Sequence, residues 1–394
     1  MAPLQHPHTY RSIPARIGII GTGFIAVGLC MLLRTCSDLV VSRVLTRRSV
    51  GSVTGFEGVH LTRSLDDLLE HSDLVVECSG DILHASVAVD AALKANLPVV
   101  TMGAEFHVTV GSHFCSRGLL TEAEGDQPGS LAALHEEAAS MGFKPLVYGN
   151  IKGFLNLEPS AEDMAFWSAR NGISIPQVTS FTDGTKLQIE QALVANGLGA
   201  DIAQRGMVGL RDLPLEEAGS QLAALALAQG APALSDYVLN GKLPAGVFIT
   251  AEHLTEKPEV LRYLKLGEGP FYTLLRPYHL CHLEMVRTIR RMLHGHGPLL
   301  NNSPHPRVNV AAVAKQDLSA GTLIEVAIGG PEFRGEAVRF AECGEAPPIG
   351  LLAGARLRHS VTRGQTLACS DVDIPDSVAK HAWESTMAQM RACA

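Results

Sequence analysis

Asp183, Lys186 and Glu190 are residue types that can move a proton at a carbon–oxygen bond. If a helix begins near Thr182 or Asp183, they fall at i, i+3 and i+7 and share one face. A lysine flanked by two carboxylates can then serve a hydroxyl being oxidised or a carbonyl being reduced. The same spacing also builds an ordinary surface salt-bridge ladder, worth a few tenths of a kcal/mol per pair. His279, His282 and Glu284 do not have the spacing of an H-E-x-x-H metal helix, and such histidines more often cap or fill a core. No metal-ligand set is identifiable from spacing.

Oxidation or reduction of that kind needs a hydride carrier, and the stretch from Arg16 to Arg34 can hold one. Ile17 to Ile20 reads as a buried strand, Gly21-Thr22-Gly23 as a tight turn, and an apolar helix follows at once. Gly21-x-Gly23-x-x-Ala26, with Phe24 and Ile25 between, is a dinucleotide fingerprint in its strand–turn–helix setting. Gly21 permits the turn, Gly23 admits a pyrophosphate, and Ala26 keeps the helix close to the strand. The helix start offers free N–H groups to the phosphates. The alternative is a glycine-rich turn in an ordinary α/β sheet.

The second strand, Leu39 to Leu45, ends in Thr46-Arg47-Arg48. A carboxylate there would hold the ribose hydroxyls of NAD, whereas cations accept the 2′-phosphate of NADP. NADP(H) is therefore favoured over NAD(H), the alternative being a solvated turn that takes either. Ser79 and Gly80 follow the strand Leu74–Cys78, at the edge where cofactor and substrate meet in open α/β sheets, although a plain strand-to-helix turn reads the same way.

The elements that must position these groups alternate strand and helix over residues 15 to about 105, which implies βαβ units and a parallel sheet. Gly125-Asp126-Gln127-Pro128-Gly129 reads as a turn opening a helix. Pro145–Tyr148 is a strand, and Gly149-Asn150-Ile151-Lys152-Gly153 after it is either a ligand-contacting loop or loop chemistry alone. Leu215–Gln229 is helical, Val247–Thr250 a strand, and the stretch after Pro277 to Leu293 an amphipathic helix. Beyond the linker-like His296–Pro306 the pieces Val308–Val313, Thr322–Val326, Ala353–Leu357 and Gln365–Cys369 make a small β-rich module.

At 394 residues the chain suits two or three domains. Its 46% apolar and 18% charged content is that of a compact fold, and a net charge of -8 argues against nucleic-acid binding. Eight cysteines without a C-x-x-C pair suggest free thiols in a reducing compartment. Met1 to Pro14 lacks the apolar core of a signal peptide and no apolar run is long enough to span a bilayer. A cytoplasmic protein is expected.

Taken together, these motifs resemble the homoserine-dehydrogenase-like oxidoreductases with a C-terminal SAF domain, a group that includes the DXR-like reductoisomerases of 1-deoxy-D-xylulose 5-phosphate. The likeness rests on Gly21-x-Gly23-x-x-Ala26, Gly125–Gly129, Gly149–Asn156, Asp183-Gly-Thr-Lys186 and Pro277–His282, and in the tail on Asp317–Leu323 and Gly364–Asp373. It implies an α/β architecture in three parts: a Rossmann domain over 1–148, an inserted α/β substrate and dimerisation domain over 149–305, and a small β-rich SAF domain over 306–394. The helix near 277–293 would return to the nucleotide domain. The resemblance makes Lys186 the catalytic lysine, with Asp183 and Glu190 as partners and possible ligands of a divalent cation, Mg or Mn. Asn150 and Lys152 become candidates for holding substrate. The implied activity is NADP(H)-dependent oxidoreduction of a small hydroxy-carbonyl compound, as a reductoisomerase or as a plain dehydrogenase of a homoserine-like or sugar-derived substrate. A cofactor- or sugar-binding protein without turnover is the remaining class. A homo-oligomer acting on a small molecule, without nucleic acid or membrane as partner, is expected.

Overall fold

Ile17, Ile19 and Ile20 are buried in β1 (Ala15–Ile20), an inner strand of a six-stranded sheet. The computed structural model describes residues 14–254 and 257–393; the signal-peptide reading of residues 1–13 falls outside them. After β1 come α1 (Phe24–Leu33), β2 (Leu39–Leu45), β3 (Leu61–Thr62), α2 (Leu65–Glu70), β4 (Leu74–Glu77), α3 (Ile82–Lys94) and β5 (Val99–Thr101). Short helical turns α4 (Ala104–Phe106) and α5 (Ser112–Cys115) lead to β6 (Leu120–Glu122). All strand pairs are parallel, in the order β3-β2-β1-β4-β5-β6, so the first part of the chain is a Rossmann-type α/β unit. Ser64 and Asp81 cap α2 and α3 by accepting the N–H groups of Asp67 and His84.

The second unit runs α6 (Gln127–Ser140), β7 (Phe143–Lys152), α7 (Ala161–Asn171), α8 (Ile175–Thr182), α9 (Thr185–Leu198), β8 (Leu210–Arg211), α10 (Leu215–Gln229), β9 (Leu234–Leu239), β10 (Val247–His253), α11 (Pro258–Tyr263) and β11 (Tyr272–Arg276). Its sheet is mixed, ordered β11-β10-β7-β9-β8, with β7 parallel to β9 and antiparallel to β10. Helix α9 lies at the centre and is buried on nearly every side, polar residues included. Gln191 donates to the carbonyls of Tyr148 and Asp236, and Asn196 to that of Val308, so the helix is held by all that surrounds it.

The chain then returns to the first unit. Helix α12 (Met285–Leu293) buries Met285, Val286, Ile289 and Met292 in the same apolar cluster as Ile17, Leu29 and Val76. A Cβ on Gly28 of α1 would stand 2.3 Å from His282 Nε2, so only glycine admits this approach. The helix starts at Met285 instead of just after Pro277, because Cys281 has φ +50 and the Glu284 side chain turns back to the Leu280 N–H.

The remaining residues form a small module: the antiparallel pair β12 (Val308–Ala314) and β13 (Phe333–Arg339), then α13 (Phe340–Cys343), the pair β14 (Arg356–Leu357) and β15 (Val372–Asp373), and α14 (Val378–Cys393). Segments 322–326 and 365–369 carry only isolated bridges, at Leu323 and Thr366. Helix α14 leans back on the first unit, burying Ala379 and Ala382 beside Ala85 and Val89. Among the described residues no helix is long and apolar enough to cross a membrane, and the seven cysteines whose side chains are described are all unpaired.

Candidate functional site

The glycine turn sits at the carboxyl edge of the parallel sheet. Gly21 has φ +116, and a Cβ on it would lie 2.9 Å from the Cys78 carbonyl oxygen. A Cβ on Gly23 would meet nothing within 4 Å, and no side chain caps α1, so the helix start faces open space. Ala26 is buried, Ile25 half-buried, and Phe24 is exposed with its ring edge-on to His282 at 5.3 Å. Arg48 donates to the Thr22 carbonyl at 2.8 Å and to its hydroxyl at 2.7 Å, and Arg47 pairs with Asp81 at 2.8 Å. Both arginines therefore border the turn. These residues fit a dinucleotide.

Ser79 and Gly80 follow β4 beside this turn. Glu77, buried at the end of β4, accepts from the Ser79 N–H at 2.8 Å and hydroxyl at 2.5 Å. Burial pushes the Glu77 carboxyl up to about 7 despite those donors. Two strands further on, Glu122 closes β6 and accepts from Thr101 Oγ1 at 2.6 Å and the Gly103 N–H at 3.2 Å. Burial, helped by the nearby charge of Asp126, holds Glu122 well above the usual carboxylate range. Its neighbour His107, 3.5 Å away, is pushed down to about 3 by burial. Burial thus disfavours the charged forms of both partners in that contact.

Lys186 projects from the first turn of α9 into the space below these strand ends. Its Nζ lies 3.0 Å from both carboxylate oxygens of Glu105, 3.4 Å from Asp126 Oδ2 and 4.0 Å from Glu190 Oε1. Burial lowers the lysine, but Asp126, Glu105 and Glu190 outweigh it and hold the ammonium well above its ordinary value. Glu190 is itself raised, chiefly by burial, while Lys152 and Lys186 pull it down. Asp126 stays below its usual range because Lys186, His279 and Lys152 outweigh its burial. Lys152 Nζ stands 3.4 Å from Glu190 Oε2, and Asn150 donates to the same oxygen at 3.0 Å. With its amide turned, Gln127 donates to Glu190 and accepts from Lys152 at 2.8 Å. One connected polar group therefore includes Lys186, Glu190, Lys152 and Asn150.

Asp183 stands apart from that group. Gly184, at φ +82, separates α8 from α9, so Asp183 ends one helix instead of sharing a face of the next. Its carboxylate accepts from the Thr185 N–H at 2.9 Å and from Lys315 Nζ at 3.1 Å. The partners that local spacing missed are Glu105 and Asp126. Glu105 had one signal, its place just after the carboxyl end of β5. Asp126 lies in the Gly125–Gly129 turn and is the N-cap residue of α6.

Residues 125–285, less than half of the chain, match the family model for oxidoreductase DRL, catalytic domain. No curated protein matches the chain in sequence. Among solved structures, a homoserine dehydrogenase from Thiobacillus denitrificans is 11% identical over 96% of this chain and 95% of its own, with a TM-score of 0.48. A homoserine dehydrogenase from S. aureus is 15% identical over 46% of this chain and 48% of its own, at 0.31. Biliverdin reductase from Synechocystis sp. PCC 6803, in complex with biliverdin and NADP+, is 18% identical over 38% of this chain, at 0.29. The chain spans about half the length of that reductase. The stretch that matches the oxidoreductase catalytic domain contains Asp126, Lys152, Lys186 and Glu190 and follows the Rossmann-type parallel sheet that carries the glycine turn.

Proposed function

We propose that the protein uses NADP(H) to reduce, or in reverse to form, the carbonyl of a small hydroxy-carbonyl compound. The observation that carries this reading is the part-buried Lys186 ammonium, ringed by Glu105, Asp126 and Glu190 next to the strand ends that border the dinucleotide turn. Arg47 and Arg48, with no acid at the end of β2, support NADP(H). Gly21, Gly23 and the start of α1 would hold the pyrophosphate, and the two arginines the 2′-phosphate. When bound, the nicotinamide supplies or accepts the hydride.

The protein's own groups handle the oxygen. Lys186, kept protonated by its carboxylates, donates a hydrogen bond to the substrate carbonyl and stabilises the alkoxide that develops. Glu190, raised by burial and linked to both lysines, is suited to carry the proton that the alkoxide finally needs. Lys152 and Asn150 orient a second oxygen of the substrate.

A divalent cation fits poorly. Glu105, Asp126 and Glu190 converge on an ammonium, Asp183 is committed to Lys315, and among the described residues no three His, Cys, Asp or Glu side chains are grouped to hold a metal. The match to the DRL catalytic domain favours a second reading, a reductoisomerase of the 1-deoxy-D-xylulose 5-phosphate type. There the two ammonium groups at Glu190, Lys152 and Lys186, would hold the adjacent oxygens that a skeletal rearrangement needs brought together. Both readings include a homo-oligomer in the cytoplasm; free cysteines support a reducing compartment.

Fluorescence titration with NADPH and NADH, then NADPH consumption across a panel, tests the reading. The panel holds 1-deoxy-D-xylulose 5-phosphate, aspartate semialdehyde and unphosphorylated ketoses and hydroxy acids, each with and without manganese. Lys186→Met should lose about 100- to 1000-fold in kcat at an unchanged Kd for NADPH. Wild-type turnover in that variant, or no binding of either nucleotide, refutes it. Manganese-dependent turnover of the first compound selects the reductoisomerase and overturns the metal-free site.

A further inference from the structure

The C-terminal module reaches the site through helix α9. One face of α9 carries Lys186 and Glu190 toward the strand ends of the nucleotide domain. The other face is bonded to the module: Thr185 Oγ1 accepts the Gly335 N–H at 2.8 Å, and Gln188 Oε1 accepts the Ala337 N–H at 2.8 Å. Both donors belong to β13. The residue at the N-cap of α9 is Gly184, which has no side chain to cap with. Asp183 does that work from one position earlier by accepting the Thr185 N–H.

A buried carboxylate in that role needs a counter-charge. Among the described residues Lys315 is the cation paired with Asp183, and both side chains are buried, at 8% and 0% exposure. Lys315 follows β12 directly and also donates to the Gly330 carbonyl at 2.5 Å, which fixes its ammonium to the module's own backbone. A chain of direct bonds thus runs from Gly330 through Lys315 and Asp183 to the N–H of the residue preceding Lys186.

We propose that Lys315 is a positioning residue for the reaction: through Asp183 it fixes the start of α9, and with it the place of the Lys186 ammonium. The function of the C-terminal module at this site is then to hold the catalytic helix in register. The inference rests on Lys186 as the residue that works on the carbonyl. Asp183, whose spacing suggested proton transfer, becomes the middle of the latch.

Removing one partner of a buried ion pair leaves an uncompensated charge, whereas removing both charges does not. Lys315→Met should therefore loosen α9, and the D183N/K315M double variant should restore it, because the amide oxygen can still accept the Thr185 N–H. Full-length protein is followed by hydrogen exchange and by acetylation with N-hydroxysuccinimide acetate, both read by peptide mass spectrometry. In K315M, amides of residues 185–190 should exchange about tenfold faster and Lys186 should label severalfold faster. Peptides from β1 and α1, labelling of Lys152 and the Kd for NADPH should not change. The double variant should return to wild-type exchange and labelling.

With the panel compound that turns over, kcat in K315M should fall about tenfold at an unchanged KM for NADPH and recover in the double variant. If K315M is insoluble while the double variant is soluble with wild-type exchange, the coupling is likewise established. Unchanged exchange and labelling in K315M, or no recovery in the double variant, overturns the latch. Full turnover in K186M instead overturns the catalytic reading, whatever K315M does.

Discussion

Glu77→Gln isolates the effect of one buried proton. Glu77 is 2% exposed, and its carboxyl titrates at about 7 against an ordinary value of 4.5. Between those two values the folded chain holds a proton that the unfolded chain has released. Its contribution to stability is therefore full below pH 4.5 and is lost as pH rises through about 7. At about 1.4 kcal/mol per pH unit, the loss amounts to about 3 kcal/mol. Glutamine keeps an oxygen for the Ser79 N–H and hydroxyl but has nothing to ionise. The assay is urea unfolding of wild type and variant in half-unit steps from about pH 4.5 to about pH 8. Trp383, which packs against the first unit, is the reporter in a W167F background, since the chain has 2 tryptophans. The variant should gain on wild type by about 3 kcal/mol across that range, most of it before pH 7. Parallel curves would show that Glu77 ionises in the folded chain as freely as in water, and would refute the reasoning.

Arg48→Ala should weaken NADPH binding about tenfold and leave NADH binding nearly unchanged in fluorescence titrations, because a 2′-phosphate is present only on NADPH. Equal losses for the two nucleotides would show that Arg48 only steadies the Thr22 turn. Gly129→Ala should cost at least about 3 kcal/mol, or prevent folding, because the new Cβ would stand 1.9 Å from the Ala123 backbone oxygen. A melting temperature equal to wild type would contradict that packing.

The parallel sheet was legible because its signals are local. The isoleucines of β1, the glycine turn and the valines of β2 and β4 follow one another in the order that a βαβ unit requires. The pairing of Lys186 with Glu190 on one helix was legible too, but two of the lysine's other partners were not. Glu105 and Asp126 lie 81 and 60 residues from Lys186 in sequence, and only the folded sheet brings them together. Asp183 was placed on the wrong element because spacing counted through Gly184 as if a helix continued there. A glycine at that point is itself a break signal. The tail was read as more strand than it contains: Leu323 and Thr366 make single bridges, while β13, with glycine and charged residues in its run, had no clear alternation to announce it.

The packing of α12 against α1 has a consequence for synthesis. Met285, Val286, Ile289 and Met292 cover an apolar face made by residues near the start of the chain. At about 5–20 residues per second, roughly ten to thirty seconds separate the emergence of β6 from that of α12. During that interval the part of the apolar face that α12 covers stays open beside α1, while the whole second unit is still being made. Chaperones therefore have most to shield in this protein before residue 285 emerges, and a ribosome that stalls ahead of that point would release a chain with an open apolar face.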